Sequence, residues 1–155
     1  MFQSRHAALG LLLVAPLLLG VTCGIGQEDL EEATLSAELS GAAVVPPVET
    51  AATGLATGRL FGNTLRIQGE FTGLQSAVLP ESEGGVLFRH GAEGSADGGV
   101  ILSLTPASLD GRTGSFIGDV VIDDELVDEF LQGFTYVEIR TVDHPEGELR
   151  AQLRR

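Results

Sequence analysis

Apolar and polar residues alternate with a period of two through most of this chain. In residues 34–40 the pattern puts Leu35, Ala37 and Leu39 on one side. In 64–71 it groups Leu65, Ile67 and Phe71 and turns Arg66, Gln68 and Glu70 to water. Val100, Leu102 and Leu104 share one face of a further segment, and Phe116, Val120 and Ile122 one face of another. Near the end, Val137, Ile139 and Thr141 alternate with Glu138 and Arg140, then Leu149, Ala151 and Leu153 with Arg150 and Gln152. Successive side chains of a strand point to opposite faces, so this pattern predicts half-buried strands and argues against helices.

Turn chemistry separates the runs. Phe61-Gly62-Asn63-Thr64 reads as a tight hairpin, because Gly and Asn adopt positive φ at little cost. Asp110-Gly111 marks a second turn, and His144-Pro145-Glu146-Gly147 a third. Short strands joined this way predict an antiparallel sandwich or barrel rather than βαβ units. One segment departs from the pattern. Leu126, Val127, Phe130 and Leu131 follow the helical period, with aspartates at the start and Gly133 at the end, which predicts one short helix near 124–132. Two turns of helix are marginal alone, so the apolar stripe must pack on the sheets.

The first residues belong to neither pattern. A short flank with Arg5 and His6 precedes an apolar run from Ala7 to Val21, then Thr22-Cys23-Gly24-Ile25-Gly26. That is the layout of a secretory signal, with cleavage expected after Gly24 or Gly26, and the run is short for a spanning helix. The predicted organisation is a signal peptide over 1–26, an acidic spacer over 27–33 and one β domain over 34–155. About 130 mature residues suit a single core. Cys23 is the only cysteine, so no intramolecular disulfide can form. It stands where a lipobox cysteine would, after Gly20-Val21-Thr22, and two readings stay open: lipidation at Cys23, or loss with the signal.

Charge narrows the partners. The nine basic residues are all arginine, 22 are acidic, and the formal net charge is −13. Such a surface repels phosphate, which excludes nucleic acid and limits membrane association to a lipid anchor at Cys23. Lysine-free acidity suits high salt, and a GC-rich genome gives the same arginine bias.

Several of these residues form a recognisable set. Residues 39–50, Leu-Ser-Gly-Ala-Ala-Val-Val-Pro46-Pro47-Val-Glu-Thr, resemble the opening signature of the CHRD domain, first described in chordin. Gly133-Phe134-Thr135-Tyr136-Val137-Glu138-Ile139-Arg140-Thr141, followed by Gly147-Glu148-Leu149-Arg150-Ala151-Gln152-Leu153, is similar to its closing signature. Phe88-Arg89-His90-Gly91 through Gly98-Gly99-Val100 sits where the family carries a His-x-His-Gly stretch and a Gly-Pro-Val-like strand start. The resemblance covers about 34–153. It implies an immunoglobulin-like β-sandwich or barrel with distant likeness to copper-zinc superoxide dismutases, and it implies no particular activity.

The resemblance also suggests one enzymatic reading, in which three histidines hold copper or zinc. Phe88 occupies the first of those positions here and Arg140 the third, leaving His90, with His144 as a weak substitute on a turn. The chain has no Gly-x-Ser-x-Gly elbow and no lysine for Schiff-base chemistry. Glu93 and Asp97 lack calcium-loop spacing, so residues 91–99 read as a mobile turn. Glu138, Arg140, Glu148 and Arg150 are expected to share one face of the last hairpin and to fix its register. The expectation is an exported, secreted, periplasmic or envelope-associated protein without a cofactor. It is read as a non-catalytic binding or structural module for an extracytoplasmic protein or envelope component. The alternatives are a dismutase-like metal oxidoreductase and a lipid-anchored envelope protein.

Overall fold

The computed structural model describes residues 33–96 and 98–155. The expected signal, the lipidation candidate Cys23 and nearly all of the acidic spacer fall on residues 1–32, outside the described residues, as does Asp97. In chain order the strands are β1 (Ala33–Leu39), β2 (Thr53–Phe61), β3 (Thr64–Thr72), β4 (Val86–His90), β5 (Val100–Leu104), β6 (Ala107–Ser108) and β7 (Gly114–Val121). Helix α1 (Asp124–Leu131), β8 (Thr135–Ile139) and β9 (Leu149–Gln152) follow. They form two antiparallel sheets, of order β1-β2-β3-β7-β6 and β5-β4-β8-β9. The fold is an all-β sandwich with one short helix.

The alternation read from sequence sets the inner faces. Leu35, Leu39, Leu65, Ile67, Phe71 and Phe116 project from the first sheet, and Phe88, Val137, Ile139, Leu149, Ala151 and Leu153 from the second, into one shared core. With no disulfide available, burial carries the stability, at about 1.5–3 kcal/mol for each large apolar side chain. The sheets are also joined along one side. Ser36 of β1 and Ser40 just after it exchange backbone hydrogen bonds with Arg154 and Arg150, so the edge of β9 is not left open there.

The β2–β3 hairpin turns at Gly62, whose φ of +58° lies in the region that favours glycine. Asp123 caps α1, its side chain accepting from the Leu126 amide at 2.9 Å. Gly133, at φ +80°, ends the helix while its N–H donates to the Phe130 carbonyl and that of Phe134 to Glu129. This is a Schellman closure. Phe130 drops from α1 into the core over Gly58, where any β-carbon would fall 2.7 Å from the ring.

Four expectations need correction. Val100 does not share a face with Leu102 and Leu104. Phe88 pairs with Leu102 and Arg89 with Val100, so Ile101 is an extra residue in β5 and the bulge turns Val100 outward. Glu148 does not share a face with Arg140 and Arg150. A second extra residue intervenes: Leu149 pairs with Ile139, yet the Glu148 amide also donates to the Ile139 carbonyl, and the Glu148 carboxylate turns inward. The outer face of the β8–β9 hairpin is not solvated, since Glu138 is 4% and Arg150 2% exposed. Gly91, Ala92, Ser95 and Gly98 do not stand loose in a turn, because each accepts a hydrogen bond from the second sheet.

Candidate functional site: an arginine-lined cavity

Period two places Leu87 and Arg89 of β4, Tyr136 and Glu138 of β8, and Arg150 and Gln152 of β9 on the outer face of the second sheet. On an open sheet these polar groups would face water. Here residues 91–99 form a roof over one end. The Arg150 guanidinium donates to the Ser95 carbonyl and to that of Ala92, and lies 3.6 Å from the centre of the Tyr136 ring. A desolvated cation over an aromatic face contributes about 2 kcal/mol. Gln152 ties the same roof down through Nε2, which donates to the carbonyls of Gly91 and Gly133 at 2.9 and 2.8 Å. The Arg89 Nε donates to the Gly98 carbonyl at 2.8 Å.

Beside this roof is a cavity of about 220 Å³, bounded by Arg89, Arg140, Arg150 and Glu138, with Val45 from the bend after β1 and Val100 from the bulged β5 completing the walls. A larger concavity, about 920 Å³, lies at one end of the first sheet, but Glu38 and Glu70 are the only ionisable residues that line it. The smaller one concentrates the chemistry. Glu138 faces Arg89 Nη1 at 3.3 Å and Arg140 Nε at 3.9 Å. Burial pushes the Glu138 carboxyl above its ordinary range, and the opposing pull of the arginines does not cancel it. Burial likewise lowers Arg150 from the usual guanidinium value, although it stays a cation at any physiological pH.

Glycines shape this region because nothing larger fits. A β-carbon at Gly98 would lie 1.9 Å from the His90 carbonyl and 2.8 Å from the Tyr136 hydroxyl. Gly147, at φ +122°, passes the Glu138 side chain so closely that a β-carbon would meet it at 3.3 Å. The Tyr136 hydroxyl is buried with no hydrogen-bond partner among the described residues.

The histidines are kept apart. His90 ends β4 opposite Thr135, its Nδ1 3.3 Å from the Glu129 carboxylate of α1 and its ring against Gly99. That contact is a charge proximity without hydrogen-bond geometry, since Glu129 Oε2 has no hydrogen-bond partner among the described residues. His144 lies beyond the other end of β8, in the β8–β9 turn, its Nε2 3.3 Å from Gln75 Oε1. Phe88 fills the core, and Arg140 borders the cavity. Among the described residues no three His, Cys, Asp or Glu side chains could jointly hold a metal ion. The residues present therefore do not fit a dismutase-type copper or zinc.

The model of the CHRD domain matches residues 35–153. The chain belongs to the CHRD domain family. No curated protein and no solved structure matches it. The CHRD signature residues now have physical roles. Pro46 and Pro47 stand exposed at the bend after β1, while Gly41 passes so close to Val48 that a β-carbon would fall 2.2 Å from its carbonyl oxygen. Gly91 begins the roof, the Tyr136 ring supports the Arg150 guanidinium, and Arg140 and Arg150 line the cavity. Glu148, fully buried, accepts from Thr50 Oγ1, the Gln75 amide and Thr141 Oγ1, each at 2.9 Å, and so staples three segments at one end of the sandwich.

Sequence reasoning missed Arg89 as a cavity residue. Two signals bear on it: Arg89 lies two residues from Leu87 on one face, and Arg89-His90-Gly91 runs straight into the glycine-rich roof.

Proposed function

We propose that this CHRD domain-containing protein is an exported, non-catalytic binding module that works outside the cytoplasm. The observation that supports the reading best is the fate of the family's metal positions: Phe88 is core, Arg140 borders a cationic cavity, and His90 and His144 lie at opposite ends of the second sheet. Three guanidiniums would repel a metal cation from this cavity. Among the described residues no hydroxyl hydrogen-bonds to either histidine, which leaves no activated serine or threonine. The leader over 1–26 supports export, and the partner is an extracytoplasmic protein or an envelope component.

The test is fractionation of expressing cells with mass and elemental analysis of the purified protein. Recovery outside the cytoplasm, cut near Gly24 or Gly26 and with less than about a tenth of an equivalent of copper or zinc, supports the reading. A stoichiometric metal overturns it in favour of an oxidoreductase. A diacylated Cys23 in the membrane fraction replaces free secretion by a tethered envelope form.

A further inference from the structure

We propose that the cavity between Arg89, Arg140 and Arg150 is a binding site for a small oxyanion, a carboxylate, sulfate or phosphate group carried by a molecule of a few heavy atoms. The inference rests on the reading of the protein as a binding module and names the chemistry of its ligand.

The first argument is distribution of charge. Nine arginines are the chain's only basic side chains against 22 acids, yet three of them converge on one cavity. On an acidic surface, an isolated cationic pocket with low-dielectric walls focuses the field on any anion that reaches it. The remaining ion pairs show the ordinary arrangement: Arg66 with Asp119 and Arg154 with Glu93, one cation to one carboxylate.

The second argument is hydrogen-bond capacity. Each guanidinium offers five N–H donors and no acceptor. Arg150 spends most of its donors on the roof and on Gln152. Arg89 uses Nε on Gly98 and Nη1 on Glu138, and its Nη2 has no partner among the described residues. Arg140 uses Nε on the Pro145 carbonyl, and neither of its Nη groups has one. Among the described residues Glu138 is the only buried carboxylate that lines the cavity, since Glu146 stands exposed on the turn. Two of the guanidiniums that line the cavity thus keep donors without a protein partner among the described residues, and paired N–H groups of this kind receive an oxyanion.

The third argument is size. At about 30 Å³ per water the cavity holds about seven waters. That admits sulfate, phosphate or a short dicarboxylate and excludes a polymer segment. The apolar walls at Leu87, Val45 and Val100 strip water from whatever enters, which strengthens its contacts with the arginines.

Isothermal titration of the purified protein with sulfate, phosphate and malonate, each against sodium chloride at equal ionic strength, tests the site. The proposal predicts saturable one-to-one binding of at least one of the three. Affinity should fall about tenfold or more in Arg89→Gln and in Arg140→Gln, rise severalfold in Glu138→Gln, where a competing carboxylate is gone, and stay unchanged in Arg66→Gln. Circular dichroism confirms that each variant is folded, and Arg140→Lys serves if Arg140→Gln is not. No binding beyond chloride by any of the three, or wild-type affinity in both arginine variants, overturns the proposal. Either result leaves the metal content and the export of the protein as they were, so the broader reading is judged separately.

Discussion

Glu148 offers the sharpest structural test. Its side chain is fully buried, and Glu148→Ala removes the single acceptor for three donors: the Thr50 hydroxyl, the Gln75 amide and the Thr141 hydroxyl. Hydrogen bonds to a charged group contribute about 1.5–3 kcal/mol each, so an upper bound is about 4.5–9 kcal/mol. Two terms reduce it. The hydroxyls can rotate toward water that fills the space left by the carboxylate, and the cost of burying that charge disappears with it. The Gln75 amide is fixed in the backbone and cannot turn, so its loss of about 1–3 kcal/mol remains. The expected net cost is about 2–4 kcal/mol, a large share of the 5–15 kcal/mol typical of a domain, and on the order of 10 °C in Tm. Urea unfolding at pH 7 should show the midpoint falling with an unchanged m-value. Thr141→Val leaves the carboxylate two donors and should cost only about 1 kcal/mol, and the double variant should cost less than the two single losses together. A Glu148→Ala cost under about 0.5 kcal/mol, or additive losses, would refute the staple.

Three further outcomes follow from the same packing. The raised pKa of Glu138, caused first by burial, means that its contribution to stability is present below the unfolded carboxyl value near 4.5 and is lost as pH rises through the folded value. Glu138→Gln should therefore gain on the wild type between pH 4 and pH 7 in urea midpoints, and a gap that narrows over that range would contradict the burial argument. Gly98→Ala drives a methyl into the His90 carbonyl, so the roof must lift; a loss of about 1–3 kcal/mol is expected, with faster amide exchange over residues 91–99 than elsewhere. Asp123→Ala removes the cap of α1 and should cost about 1 kcal/mol in thermal unfolding, with the loss of helical signal confined to that element.

Much of this architecture is legible in the residues themselves. The hairpin at Gly62-Asn63, the inward set Leu65, Ile67 and Phe71, and the capped helix with Phe130 on its buried stripe all follow from local periodicity and turn chemistry, which act over a few residues. The failures have a common cause. Alternation identifies the two faces of a strand but does not tell whether a distant segment covers the second one: Ala92 and Ser95 close over Arg150, Gly91 over Gln152, and Gly147 and the Arg89 and Arg140 side chains over Glu138. The bulges at Ile101 and Glu148 each shift the period by one, and an extra residue such as Ile101 has no signature of its own when both neighbours, here Val100 and Leu102, are apolar and strand-forming. The candidate site was half visible. Arg140 and Arg150 stand out in the closing signature, whereas Arg89 joins them only through the pairing of β4 with β8, a contact between residues about 50 positions apart.

What sets the second sheet apart is a cationic cavity on its covered face, open to a small solute. Nitrogen-15 spectra of the arginine side chains during a sulfate titration test it most directly. Saturable shifts of the Arg89 and Arg140 signals are expected, with those of Arg59 and Arg66 on the first sheet unmoved. Equal shifts across all the arginines, or none at Arg89 and Arg140, would contradict it.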